Sequence, residues 1–520
     1  MTPAQFIFLY GPPASGKTVT GLRLAESLQL PFYDLDQVIE THAGSSIPQI
    51  FAAEGETGFR EREAAALKGL LNWQRGVVAL GGGALLRPEN RRIAEAAGTV
   101  VCLSASFETI LQRLEGGDGR RPLLEGEAQE QLRALLEKRD RHYASFHLQV
   151  ESDHLSVDQT AWQAQICLGM FRVEGMGAGY DVLVRQGSLS GLGLALRERK
   201  LLGPLALVSD ENVAPLYAEL AMQSLRDAGY EVQLVEIHAG EQYKILATAT
   251  QLWGAFLRAS VERGGTVIAL GGGVVGDLAG FAAAVYLRGV RWVTLPTTLL
   301  AMVDASLGGK TGCDLPQGKN LVGAFHPPSL VLADPYLLRT LPEVELRNGM
   351  AEVLKHAILG DADLFERCSQ GWQVLNEELE WVVRQAMAVK LRIIQEDPYE
   401  RGERASLNLG HTLGHALEQA SDFRIKHGEG VAIGTLAAAR LAEQMGLAQS
   451  GLSVTIEATL NRLGLPIRLP PGLQRERILS AMGLDKKRMS GKLRLVLPTR
   501  IGASRWGVEI DDPAKLLDMV

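Results

Sequence analysis

At 520 residues the chain is too long for one ordinary core, so two or three domains are expected. Hydrophobic residues at 46% and charged residues at 22% match globular proteins and exclude a disordered or fibrous chain. A net charge of -7 argues against binding nucleic acid or a membrane surface through bulk electrostatics, while local basic clusters can still hold small anions.

The opening run MTPAQFIFLYG is apolar but has no basic leader and no small-residue cleavage site, so a buried strand is expected there. Strand-like runs then alternate with helical patterns to about residue 165, the rhythm of a parallel sheet covered by helices. Gly11, Gly16, Lys17 and Thr18 form G-x-x-x-x-G-K-T between a strand and a helix. In that context the backbone N–H groups from Ala14, Ser15 and Gly16 through Val19 cradle phosphates. Lys17 reaches the β and γ oxygens, and the Thr18 hydroxyl serves magnesium.

The loop names a phosphoryl donor, and the residues after it must name the acceptor. Asp34 and Asp36, two apart at a strand end, are expected to point the same way, one toward magnesium and one toward a substrate hydroxyl. Arg60 and Glu63 at a helix start, the bare turn Gly81–Gly83, Arg121 and Arg139 add guanidinium forks suited to carboxylate and phosphate. In this order, the phosphate loop, DLDQVIE, I..IF...GE..FR..E, GGG, RPLL and R...Y resemble shikimate kinase over residues 1 to about 168. The resemblance implies ATP with Mg, shikimate on Asp36, Arg60, Gly82 and Arg139, magnesium on Thr18 and Asp34, and Arg121 on a lid over ATP. Lys17 and Asp36 would be catalytic. A gluconate-type kinase is the alternative, and paired arginines for an anionic ring acid speak against it.

Around Phe171–Gly179 glycine becomes dense and periodicity vanishes, so a linker over 171–179 is expected to follow a phosphate-loop domain at 1–170. An α/β domain is expected over 180–341 and an all-helical domain over 342–520, with helices near 345–358, 376–396 and 411–420. VIALGGGVVGDLAGFAAA reads as strand, glycine turn and helix, suited to a pyrophosphate although not the usual dinucleotide fingerprint. The four cysteines form no C-x-x-C pair, which argues against a disulfide frame and favours the cytoplasm.

His411 and His415 lie four apart and share a helix face, and Glu352 and His427 could complete a metal site. Two imidazoles and one carboxylate around zinc leave positions open for substrate. Spacing does not decide between His411 and His415. Lys310, Lys319, Asn320, Lys355, Lys390, Arg404 and Asn408 suggest a site for a multiply charged anion.

These segments, with GMAEVLK, YLRG and DPYERGERASLNLGHTLGHALE, resemble 3-dehydroquinate synthase from about residue 175 to 520. The resemblance implies a Rossmann-like α/β fold with tightly held NAD, one divalent ion (Zn or Co) and a homodimer formed through this half. The metal ligands would be Glu352, His411 and His427, with His415 relaying a proton or touching substrate. NAD would meet Glu241, Lys244, Gly273, Val274, Val275, Gly276, Asp277, Thr297, Thr298, Lys310, Lys319 and Thr340. Asp304, Lys310, Asn320, Lys355, Lys390, Arg404, Asn408 and Lys487, or its neighbour Lys486, would hold 3-deoxy-D-arabino-heptulosonate 7-phosphate. Arg288 would reach a neighbouring subunit's site. Lys310, Lys355, Arg404 and His415 would be catalytic. Leu409, Leu413 and Asp314 depart mildly from the family pattern, and Cys313 is expected as a bystander. A polyol dehydrogenase or another sugar phosphate cyclase remains the alternative for this half, and a nucleotide-operated switch for the other.

Overall fold

The computed structural model describes residues 6–115, 127–483 and 493–520. Its contacts sort the chain into two units that divide after Arg172. Among the described residues no helix is long and apolar enough to cross a membrane.

The first unit is built on five parallel strands, β1 (Phe6–Tyr10), β2 (Phe32–Asp34), β3 (Val77–Ala79), β4 (Gly98–Ser104) and β5 (Leu148–Glu151), in the order β2-β3-β1-β4-β5. β1 is the middle strand and every residue of FIFLY is buried, as expected where helices cover both faces. Its side chains alternate between two cores. Phe6, Phe8 and Tyr10 pack with Leu35, Phe59 and Phe146, whereas Ile7 and Leu9 pack with Leu24, Ala161 and Ala164. The strand therefore delivers the phosphate loop at the carboxyl edge of the sheet, where the helix Lys17–Leu28 begins.

The second unit carries a seven-stranded sheet. Its strands are β6 (Met170–Val173), which straddles the division between the units, β7 (Tyr180–Val184), β8 (Leu205–Asp210), β9 (Val232–Ile237), β10 (Thr266–Gly271), β11 (Arg291–Pro296) and β14 (Leu330–Ala333), in the order β6-β7-β14-β11-β10-β8-β9. β7, β14, β11, β10, β8 and β9 are parallel. A hairpin of β12 (Lys310–Leu315) and β13 (Gly318–Phe325) lies between β11 and β14 in the chain. The segment expected as a linker thus begins with a short strand.

From Glu343 the chain turns helical, with helices Glu343–Gly360, Leu379–Glu396, His411–Ala420 and His427–Gln444 carrying the chemistry. An all-helical C-terminal region is corrected in one respect. β15 (Leu493–Arg500) and β16 (Ala503–Ile510) form an antiparallel hairpin. Leu493 is buried and Arg494 exposed, but Leu495, Val496, Leu497 and Pro498 are then all buried, so it is the cross-strand pairing with β16 rather than a period of two that marks the strand.

Candidate active sites

In the first unit the phosphate loop follows β1 directly. Gly11 has φ 135° and a Cβ there would strike the Leu103 carbonyl, so only glycine permits the turn. Lys17 Nζ donates to the carbonyls of Gly11 (3.1 Å) and Pro12 (2.7 Å), folding back across the loop. Burial lowers its pKa to about 8, against the pull of Asp36. Arg113, which belongs to no motif of the sequence, ties the loop from the other side: its guanidinium donates to Ala14 O (3.4 Å) and to Ser152 Oγ (3.0 Å). Ser15 is fully buried, while Val19 on the helix is exposed.

The Thr18 hydroxyl donates to Asp34 Oδ2 at 2.8 Å, which puts the two expected magnesium groups side by side. The strand-end reading of Asp34 and Asp36 is corrected. Asp34 ends β2 and caps the helix Leu35–Ala43, accepting from the Asp36 N–H at 3.0 Å, so Asp36 stands in the first helical turn rather than along the strand. Burial raises the Asp36 carboxyl, Asp34 adds to the effect, and Lys17 opposes it.

Gly81–Gly83 gathers the remaining acceptor groups. Gly82 O accepts from Tyr143 OH (2.8 Å), Tyr10 OH (3.3 Å) and Arg139 Nη1 (3.3 Å). A Cβ on Gly83 would lie 2.5 Å from Arg60 Nη2, and one on Gly81 would lie 3.2 Å from Asp36 Oδ1. Arg60 is held by Glu63, Nη1 to Oε2 2.7 Å. A Cβ on Gly82 would be 3.2 Å from Gly11 O, so the acceptor turn lies against the donor loop, as in-line transfer requires. Arg121 lies outside the described residues.

In the second unit β10 ends at a glycine turn that opens the helix Gly273–Val285. Val275 belongs to the core and Val274 packs on it, leaving backbone N–H groups of this turn for a ligand. Asp277, near the helix start, lies 2.5 Å from Lys244 Nζ, which also donates to Asn320 Oδ1 at 2.7 Å. Asn320, expected on the substrate, is thus placed beside Lys244 and donates its N–H to Asp314 Oδ1 at 2.7 Å. Lys319 is 3.3 Å from Glu241. Gly272 faces Thr298, and the Thr297 hydroxyl is buried without a hydrogen bond among the described residues. Thr340 pairs with Tyr217 OH at 2.5 Å. Burial and Asp314 both raise the Cys313 thiol, so it is no reactive thiolate.

A second cluster surrounds Asp304. Lys390 Nζ donates to its Oδ1 (2.6 Å) and its carbonyl (2.8 Å), Lys355 Nζ is 3.7 Å away, and the His356 ring is 3.8 Å away. Burial works against the Asp304 charge, but Lys390 and Lys355 outweigh it and hold the carboxyl well below its usual range. Burial lowers Lys390 to about 8 and His356 to about 3. Arg404 is buried, donates to Gly308 O at 3.1 Å and to Pro398 O, and keeps Nε without a partner among the described residues. Lys310 pairs with Glu400, which also accepts from Asn408 at 3.3 Å. Arg288 is exposed on a turn where Leu287 (φ 50°) and Arg288 (φ 70°) are both left-handed. Lys486 and Lys487 lie outside the described residues.

Glu352, His411 and His427 converge from three helices, with one donor atom of each inside 4.8 Å of the others. Glu352 Oε1 is 3.3 Å from His427 Nε2 and 3.6 Å from His411 Nε2. His411 Nδ1 meets the Leu409 carbonyl at 3.1 Å, so that nitrogen carries the proton and Nε2 is left as a ligand. His427 Nδ1 meets Glu418 Oε1 at 2.9 Å, again freeing Nε2. His415 is exposed beside both rings, 5.1 Å from His411 and 5.8 Å from His427 between centroids.

Close packing sets this spacing. Gly414 and Gly430 meet backbone to backbone, a Cβ on Gly430 lying 2.8 Å from Gly414 O, and Gly410 and Gly434 repeat the contact one turn on. The residues fit a divalent ion. Two imidazole nitrogens and a fully buried carboxylate face one point, and neither Glu352 oxygen is satisfied by a well-formed hydrogen bond among the described residues, although Oε2 pairs with the Lys355 ammonium. Burial opposes charge on the His427 ring, yet the facing Glu352 and Glu418 carboxylates raise its pKa to about 10. Asp304, Glu352 and His356 also stand within 4.8 Å of one another, but Lys355 and Lys390 already neutralise that side. Glu418, Glu400 and His356 were not anticipated. For Glu418 a signal existed, since 411, 415 and 418 share one helical face.

Residues 13–167 match the family model described as shikimate kinase, residues 234–348 that of the 3-dehydroquinate synthase N-terminal region, and residues 349–488 that of its C-terminal region. A 3-dehydroquinate synthase of Symbiobacterium thermophilum is 47% identical over 351 residues, 64% of this chain and 97% of the relative. Among solved structures, a 2-deoxy-scyllo-inosose synthase complexed with carbaglucose-6-phosphate, NAD+ and Co2+ has a TM-score of 0.61 at 26% identity, covering 67% of this chain and 98% of that one. A 2-epi-5-epi-valiolone synthase from Streptomyces hygroscopicus with NAD+ and Zn2+ bound has a TM-score of 0.59 at 32% identity, covering 65% and 96%. The chain therefore belongs to the 3-dehydroquinate synthase family and carries a shikimate kinase domain ahead of it, which makes it a bifunctional enzyme of the shikimate pathway.

Proposed function

We propose that the first unit transfers phosphate from ATP to the 3-hydroxyl of shikimate, and that the second converts 3-deoxy-D-arabino-heptulosonate 7-phosphate to 3-dehydroquinate and phosphate. The observation that carries the second assignment is the approach of Glu352, His411 and His427 beside a lysine-rich cluster ordered by Asp304. When bound, NAD supplies a reversible hydride acceptor and the divalent ion a Lewis acid for an alcohol oxygen. Both cofactors are bound by solved relatives of this unit, and its own residues suit them.

Residues 180–341 would hold NAD, through Lys244, Asp277 and the Gly273 turn. Residues 342–520 would hold the metal and substrate. Lys355, Lys390 and Arg404 would grip the anionic groups. Exposed His415 would move a proton beside the metal-binding rings. In the first unit Arg60 and Arg139 would take the shikimate carboxylate, Asp36 the hydroxyl proton, and Thr18 and Asp34 magnesium. The enzyme would work in the cytoplasm as a homodimer through the second unit, with Arg288 on its strained turn reaching the neighbouring copy. Light scattering showing a monomer at working concentration would end that last assignment.

The test is incubation with the heptulosonate phosphate and trace NAD, following phosphate and product together. Equal amounts of phosphate and dehydroquinate without net NADH support the assignment. NADH accumulating without phosphate would identify a polyol dehydrogenase. For the first unit, ATP turnover should require shikimate, and equal turnover without it would favour a nucleotide-operated switch.

A further inference from the structure

The Glu418 carboxylate is buried and shared between two partners. Oε1 accepts from His427 Nδ1 at 2.9 Å, while Oε2 lies 3.4 Å from Lys319 Nζ. Lys319 comes from a different element, strand β13, and its Nζ also stands 3.3 Å from Glu241 and 4.6 Å from the Phe423 ring centroid. An unbroken polar path thus runs from His427 through Glu418 and Lys319 to Glu241. Its two ends are a proposed metal ligand and a proposed NAD contact, so a functional coupling along it rests on the synthase assignment of this unit.

We infer that Glu418 is a positioning residue that couples metal binding at His427 to NAD binding at Lys319. The carboxylate fixes the His427 tautomer and strengthens Nε2 as a donor, the usual role of a carboxylate behind a ligating histidine. Lys319 opposes this in two ways. Its ammonium draws on the same carboxylate, and it places a positive charge near a site meant for a cation. A dinucleotide brings a doubly anionic pyrophosphate, and engaging Lys319 with it relieves both effects. Metal should therefore bind more tightly when NAD is present, and by reciprocity NAD more tightly when metal is present.

The experiment uses the full chain stripped of metal. Zinc is titrated against a chromophoric chelator, with no NAD and with NAD at a concentration that saturates each variant. In the wild type, NAD should tighten zinc binding about fivefold or more. Glu418→Gln should weaken zinc about 10- to 100-fold and abolish the NAD effect. Lys319→Met should bind zinc without NAD as tightly as the wild type does with it, and NAD should then change nothing. Far-UV circular dichroism checks that each variant is folded, and Lys319→Met, on a part-exposed side chain, remains informative if Glu418→Gln is not.

Wild-type zinc affinity in folded Glu418→Gln would overturn the inference, as would an undiminished NAD effect in Lys319→Met. Zinc loss in Glu418→Gln as complete as in Glu352→Ala would make Glu418 a ligand and also overturn it. Failure of the wild type to bind zinc or NAD would overturn the synthase assignment and this inference with it.

Discussion

The two sites handle charge in opposite ways. In the kinase unit the cations lean on backbone carbonyls or on carboxylates of their own helix: Lys17 on Gly11 and Pro12, Arg139 on Gly82, Arg60 on Glu63 and the exposed Glu56. An arriving phosphate or carboxylate replaces weak partners with strong ones. In the synthase unit Glu352, Lys355 and Lys390 are all buried, and they neutralise one another together with Asp304. A buried charge is tolerable only while its partners stay, so this site is a network in which every member matters. The kinase site can be emptied and refilled by its substrates, whereas the synthase core resists losing any one charge.

The largest effect expected from this contrast is at Glu352. Glu352→Gln keeps the volume but removes a proposed metal ligand and the partner of Lys355, and should lower dehydroquinate formation about a thousandfold or more, with kinase turnover unchanged. Parallel assays on one preparation check this, and loss of both activities in soluble protein would break the comparison. Lys17→Ala should do the reverse, reducing shikimate phosphorylation by about 10² to 10³ while sparing cyclisation.

A smaller effect is expected at Gly83, where a methyl group must displace the Arg60 guanidinium. Gly83→Ala should raise the KM for shikimate about tenfold and leave the KM for ATP within about twofold. Equal changes in both constants would mean the glycine turn serves the donor as well. The smallest effect concerns protons. Lys17 sits at about 8 rather than its ordinary 10.5, chiefly through burial, and ATP favours its charged form. Between those values free enzyme has lost the proton and bound enzyme regains it, so nucleotide binding should take up a fraction of a proton near pH 9. Below about pH 7 the uptake should vanish. Calorimetry in two buffers of different ionisation heat reads this, and proton release instead would place the lowered pKa elsewhere.

What could be read from sequence depended on whether the partners were neighbours in the chain. The phosphate loop is contiguous, so its residues, strand and helix were all legible. The alternation of strands and helices in both units was legible too, because each period repeats several times. Asp36 was misplaced because a strand end that is also an N-cap looks like a continuing strand when only two residues are compared, whereas Asp34 does end β2. The choice of His411 over His415 as a ligand came only from resemblance, since both lie on one helical face. Glu418, Glu400 and His356 were missed because their partners come from other elements. Glu418 meets Lys319 from 99 residues away, and Glu400 meets Lys310 from 90. The terminal hairpin was absorbed into a helical reading because neither strand shows a sustained alternation, β15 being buried without a break from Leu495 to Pro498.

The glycines facing each other across the helices His411–Ala420 and His427–Gln444 have a further consequence. They act as a spacer of zero thickness: the bite between the two imidazoles is gauged by main chain touching main chain, away from the ligands themselves. A single methyl at Gly414 or Gly430 would wedge the helices apart with every donor atom still present. Ion selectivity in this enzyme is therefore open to retuning at positions that never touch an ion, and a variant can keep its full ligand set and still lose its grip.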